Sequence, residues 1–164
     1  MLRRCVNVIT LGAAGVMLAG CLFHHAEQIA PSPTVPLRAR WNGTLESPQS
    51  LAGAVQIHGK SWMGPVTATD SSRTAVSITI TNATAGGVHP WAVRQGQCGT
   101  DQGPFGAALS YPLLKIDGDG TASAQLTLTE PTPSTGQYYV YVLASPSNTG
   151  TIIACGNLAE PLHQ

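Results

Sequence analysis

Apolar and polar residues alternate along most of the chain after residue 38. Thr74 to Thr81 (TAVSITIT) and Thr121 to Thr129 (TASAQLTLT) place the two kinds of side chain on opposite faces of an extended strand. Tyr138 to Leu143 (YYVYVL) is rich in the aromatic and β-branched residues that strands favour. Ala52 to His58 (AGAVQIH) is predicted as a further strand, and no useful helical periodicity follows Cys21.

Clusters of turn-forming residues separate these runs, at positions 70–72, 85–87, 117–120 and 131–136. The 18 glycines and 12 prolines of the 164-residue chain favour short strands and turns over long helices. The spacing predicts seven or eight strands. We therefore expect an all-β fold, a Greek-key β-sandwich or barrel of antiparallel strands.

The first twenty residues have the pattern of an export signal. Arg3 and Arg4 precede an uncharged, mostly apolar stretch from Val6 to Leu18, which is short for a transmembrane helix. The stretch ends in Leu-Ala-Gly-Cys at 18–21, which resembles the bacterial lipobox. The resemblance implies lipidation of Cys21, and the alternative is an ordinary signal peptide that leaves a free thiol.

The predicted organisation is a lipoprotein signal peptide at 1–20, a lipid-anchored proline-rich tether at 21–37 and a β domain at 38–164. Eight basic and eight acidic side chains balance over the whole chain. Because the sequence has no basic stripe, we expect no nucleic-acid partner. We expect attachment to the membrane through acyl chains rather than through charged side chains. The expected location is the cell envelope, and Leu22 after the lipidated cysteine favours the outer membrane.

The predicted domain contains two of the four cysteines, Cys98 and Cys155. In an exported protein such a pair favours a disulfide. The alternative, a metal site with two thiolates, has little support because neither cysteine has a second cysteine or a histidine at ligand spacing.

Three segments in the second half of the chain carry a family resemblance: VHPWAVRQGQCG at 88–99, YYVYVLAS at 138–145 and TIIACGNL at 151–158. In their order and spacing they resemble the copper/zinc superoxide dismutase-like domain family. The resemblance implies the Greek-key fold, and it places Cys98 and Cys155 at the positions of the family's intrasubunit disulfide.

The same resemblance implies that the metal ligands are absent. The His-x-His pair of the family falls on Ala92 and Arg94, the copper histidine of the later strand on Leu143, and the guiding arginine on Ile152. Alanine and leucine offer no lone pair, and arginine carries a permanent positive charge. These four are interpreted as degenerate positions.

The remaining candidates do not restore a metal site in the sequence. The segment that should supply zinc, 99–111, contains Asp101 but no histidine. His89 could be a displaced ligand, although the family often carries a structural histidine at that offset.

We expect no cofactor, no metal ligands and no catalytic residues in a superoxide dismutase-like lipoprotein that serves as a binding or structural module. Its partner would be an envelope protein or a small ligand, and its oligomeric state is open. The first alternative is a copper/zinc superoxide dismutase with a divergent metal site. The second is a different enzyme on the same scaffold, but no nucleophile elbow and no phosphate-binding loop occurs in the sequence.

Overall fold

The structure is a computed structural model that describes residues 39–162. The signal peptide predicted at 1–20, the tether at 21–37 and the lipidation site Cys21 lie outside the described residues. Within 39–162, no helix has the length and apolar character needed to cross a membrane.

The described residues form ten strands and two short 3-10 helices. The strands are β1 (Trp41–Glu46), β2 (His58–Thr67), β3 (Asp70–Thr81), β4 (Val88–His89), β5 (Trp91–Gln97), β6 (Thr100–Pro104), β7 (Leu114–Lys115), β8 (Ala122–Leu128), β9 (Tyr138–Ser145) and β10 (Asn148–Leu158). The 3-10 helices span Gln49–Leu51 and Ala108–Ser110.

Eight strands make one antiparallel sheet in the order β6-β5-β9-β10-β1-β2-β3-β8, and β4 pairs with β7 separately. The sheet curls into a half-barrel, which confirms the predicted all-β sandwich or barrel class. Only the hairpin connections join neighbouring strands of this sheet. The chain crosses between distant positions three times, from β3 to β5, from β6 to β8 and from β8 to β9.

The strands predicted at 74–81, 121–129 and 138–143 are confirmed to within a few residues by β3, β8 and β9. The strand predicted from Ala52 to His58 is wrong, because β2 begins only at His58. Gly53 there has a left-handed φ of 96°, and the Gln56 side-chain amide donates to the carbonyls of Leu51 and Ala54, which stabilises a loop. The turn predicted at 70–72 is also wrong, since these residues begin β3.

The inner face of the sheet holds the core. The largest fully buried side chains are apolar except for Thr74, and all but Leu114 of β7 belong to this sheet: Trp41, Leu45, Met63, Thr74, Val76, Ile78, Ile80, Val93, Leu114, Leu128, Val140 and Val142. The Trp41 and Tyr138 rings meet edge-on at 5.1 Å, and Trp41 Nε1 donates to the Pro133 carbonyl at 3.0 Å. Trp91 packs edge-on against Tyr111 at 5.1 Å. Because Trp91 of β5 and Tyr138 of β9 point into the core, the residues that alternate with them along each strand lie on the outer face.

The predicted disulfide is present. Cys98, just after β5, is bonded to Cys155 in β10, and their Cα atoms are 6.0 Å apart. The bridge spans 57 positions of sequence. It ties the β5–β6 hairpin to a strand that is not its neighbour in the sheet.

Candidate functional site

The positions interpreted as degenerate metal ligands lie together on adjacent strands. Ala92 and Arg94 of β5 pair with Tyr141 and Tyr139 of β9. Leu143 is the next residue of β9 on the same face as Tyr141, because strand side chains alternate. We call Ala92, Arg94, Tyr139, Tyr141 and Leu143 the β5–β9 outer face, opposite inward-pointing Trp91 and Val93.

The fourth degenerate position lies on the neighbouring strand. Ile152 of β10 pairs with Leu143, at a point where the register of β10 against β9 shifts on both sides. Cys155 pairs with Tyr141 in the same ladder. The fold therefore brings all four predicted positions and one end of the disulfide onto β5, β9 and β10.

An ion pair occupies this outer face. Arg94 donates from Nε to Oδ1 of Asp101 at 2.7 Å and from Nη2 to Oδ2 at 2.5 Å, a two-point contact. Asp101 Oδ1 also accepts from the Tyr139 hydroxyl at 3.2 Å and from the backbone N–H of Gly103 at 3.1 Å. The carboxylate of Asp101, the acidic residue of the segment that should supply zinc, thus accepts hydrogen bonds from Arg94, Tyr139 and Gly103.

The electrostatics of the pair follow from these contacts. The hydrogen bonds from Arg94, together with weaker ones from Gly103 and Tyr139, lower the pKa of Asp101 to about 2. The Asp101 carboxylate in turn raises the pKa of Arg94. Burial, followed by the negative charge of Asp101, raises the pKa of the Tyr139 hydroxyl. The Arg94 guanidinium also lies 5.8 Å from the centroid of the Tyr141 ring, within cation–π range.

The lowered pKa of Asp101 predicts a specific dependence of stability on pH. An unfolded aspartate has a pKa of about 3.9, so the unfolded chain binds more protons than the folded protein between about pH 4 and pH 2. The stabilisation by Asp101 is therefore complete above this window and is lost as the pH falls through it. We expect Asp101→Asn to remove part of the fall in urea midpoint between pH 4 and pH 2.

Asp119→Asn is the matched control, because neither of the two ion pairs of the described residues includes Asp119. Its pH profile should run parallel to that of the wild type. An Asp101→Asn profile that also runs parallel would show that the ion pair contributes nothing to acid stability.

His89 connects two strands. Its Nδ1 lies 3.1 Å from the carbonyl oxygen of Leu143 and 2.9 Å from that of Ala144. Because both neighbours are acceptors, Nδ1 carries the proton and donates. The contacts hold β4 against β9, as a structural histidine does. Across residues 39–162, no group of three or more His, Cys, Asp or Glu side chains is placed to hold a metal ion.

A second concave region lies on the outer face of β1, β2 and β3. It has a volume of about 320 Å³ and is lined by exposed polar side chains together with Leu45 and Gly59. The polar residues are Thr44, Glu46, His58, Lys60, Thr79 and Thr81. Among residues 39–162, no ion pair or hydrogen bond includes the imidazole of His58 or the carboxylate of Glu46.

The Arg94–Asp101 pair was not predicted from the sequence. The two residues are seven positions apart in the β5–β6 hairpin, where Gly96 pairs with Asp101 and the register shifts between Gln95 and Gly96. Gly99 is a sequence signal for a hairpin turn at Cys98-Gly99. No sequence signal marks the register shift that brings the Asp101 carboxylate into contact with Arg94.

No protein-family model matches the chain, and no curated protein matches it.

Proposed function

We propose that the chain is a non-catalytic, superoxide dismutase-like lipoprotein of the cell envelope. In this proposal it is anchored to the membrane through lipid on Cys21, and its domain is a binding or structural module. The observation that carries the proposal is the Arg94–Asp101 ion pair, which lies where the resemblance would place copper.

The chemistry of the donor set does not fit copper. A copper site that cycles between two oxidation states needs nitrogen ligands and an open coordination position. The β5–β9 outer face offers the side chains of alanine, leucine, two tyrosines and an arginine. Moreover, Arg94 is held by two hydrogen bonds to Asp101, and its positive charge lies on the face where the resemblance would put the cation. No metal-dependent step is assigned to this chain.

Other features support the family resemblance without depending on metal. The sheet order has crossover connections between distant strands, as Greek-key folds do. The Cys98–Cys155 bond joins the two positions that the resemblance pairs. A core built from sheet and disulfide can persist without metal, unlike that of a zinc finger.

Superoxide consumption tests the proposal against the alternative of a divergent copper/zinc superoxide dismutase. The purified protein, incubated with copper and zinc and then freed of unbound metal, should consume superoxide at the rate of the buffer. Arg94→Met is the matched control, and it should give the same rate. Consumption far above buffer, in the wild type or after removal of Arg94, would contradict the proposal.

A further inference from the structure

An arginine at the start of the domain has its charge buried without an ionic partner. Arg40 precedes β1 and is only 9% exposed. Its Nε is buried and makes no hydrogen bond. Neither of the two ion pairs found among residues 39–162 includes it. Its guanidinium instead stacks on the ring of Trp62, with its central carbon 4.1 Å from the ring centroid.

The neighbouring strands leave room for this arginine on the outer face. A Cβ on Gly64 of β2 would lie 3.1 Å from Cγ of Arg40, so the glycine lets the arginine stem lie across β2. Ala75, opposite Gly64 in β3, is the other small residue there. Trp41 points into the core, so Arg40 before it and Trp62 opposite Asn42 are on the outer face. The local sequence is thus suited to fixing this guanidinium in place.

Such an arrangement costs stability unless something compensates for it. Burial of an unpaired charge is unfavourable, and burial lowers the pKa of Arg40. Cation–π stacking with Trp62 offsets part of this cost. An oxyanion can reach the terminal nitrogens of this guanidinium, because Nε is the one nitrogen of Arg40 that is buried without a hydrogen bond. Nη1 and Nη2 carry four N–H donors that match phosphate or carboxylate oxygens.

A second cation lies on the same face. Lys60 is two residues from Trp62 in β2, which corresponds to about 7 Å along the strand. It is exposed, and neither ion pair of the described chain contains it. Its partners across the ladders are Thr44 and Thr79, which place hydroxyl groups beside it. A phosphate has more oxygens than a carboxylate and can therefore accept hydrogen bonds from more than one cationic side chain.

We propose that Arg40, supported by Trp62 and assisted by Lys60, binds a phosphate group. The group is carried either by a small phosphate ester or by a phospholipid headgroup. This site lies on β1 and β2, away from the β5–β9 outer face, and does not depend on the superoxide dismutase resemblance. A negative result for phosphate binding would therefore leave the proposed function untouched, and the reverse also holds.

The test is a titration of the purified protein with inorganic phosphate and with glycerol phosphate, followed by tryptophan fluorescence. Trp41 and Trp91 are buried in the core, whereas Trp62 is half-buried beside Arg40, so binding should change the Trp62 emission. We expect a saturable change that Trp62→Phe removes. Arg40→Met, which keeps the stem but removes the charge, should weaken binding at least tenfold, and Lys60→Met should weaken it less.

Arg73→Met is the matched control, because Arg73 pairs with Asp70 in the β2–β3 hairpin and should not affect the titration. We expect Arg40→Met to be at least as stable to urea as the wild type, since it removes an unpaired charge. If Arg40→Met is too unstable to measure, Arg40→Lys takes its place in the titration. This variant keeps the positive charge but lacks the planar guanidinium, and it should bind phosphate several-fold more weakly. No saturation by either phosphate, or equal affinity in the arginine variants, would overturn the proposal.

Vesicles distinguish the two sources of phosphate. Wild type and Arg40→Met share the same N-terminus, so any lipid anchor contributes equally to both. If wild type binds phosphatidylglycerol vesicles more tightly than Arg40→Met does, the headgroup is the source. Equal vesicle binding together with an Arg40-dependent phosphate titration assigns a small phosphate ester.

Discussion

Replacing both Cys98 and Cys155 by serine is expected to lower the free energy of unfolding by about 4 kcal/mol. The bridge closes a loop of 57 positions, and the chain-entropy model gives about that value for a loop of this length. The bond also connects β10 to the end of β5, strands that β9 separates in the sheet. Urea unfolding followed by tryptophan fluorescence measures the change.

Reductant provides the control for this variant. Adding it should lower the urea midpoint of the wild type to that of the double serine variant, and it should leave the variant unchanged. A reduced protein that unfolds at the wild-type midpoint would show that the bridge contributes no stability.

Gly156→Ala is expected to destabilise the domain by about 3 kcal/mol or more, at the upper end of overpacking effects. An added Cβ would lie 2.1 Å from the carbonyl oxygen of Thr44 in β1, so backbone rather than a flexible side chain would have to move. Because β1 is the neighbour of β10 in the middle of the sheet, the displacement would spread to both halves.

Gly150→Ala is the matched control in the same strand, since nothing lies within 4 Å of the position that its Cβ would take. Its urea midpoint should stay within the error of the wild type. Equal midpoints for the two variants would show that β1 does not approach β10 as closely as the structure describes.

The sequence predicted strands best where large apolar residues alternate. Ile78 and Ile80 in β3 and Val140 and Val142 in β9 are completely buried, and each lies in a run whose period of two is unambiguous. The run from Ala52 to His58 was predicted from the same kind of alternation, but its first three residues, Ala52 to Ala54, have little or no side chain to bury. There, the backbone conformation of Gly53 and the hydrogen bonds of Gln56 determine a loop instead.

The candidate site could be predicted from the sequence less well than the fold. Only the family resemblance relates Ala92, Arg94 and Leu143, and the sheet places them on the adjacent strands β5 and β9. The partner of Arg94 depends on a register shift in the β5–β6 hairpin, which composition does not encode. No pattern in the sequence predicts the burial of Arg40, because this burial depends on Trp62 and Gly64 in another strand.

The copper content of the protein tests the central claim most directly. Protein recovered without an affinity tag from cells grown with added copper should contain far less than one copper per chain, measured by mass spectrometry of the metal. The reason is that the β5–β9 outer face holds the Arg94–Asp101 ion pair where imidazole donors would be needed. One tightly bound copper per chain, retained against a chelator, would contradict the account.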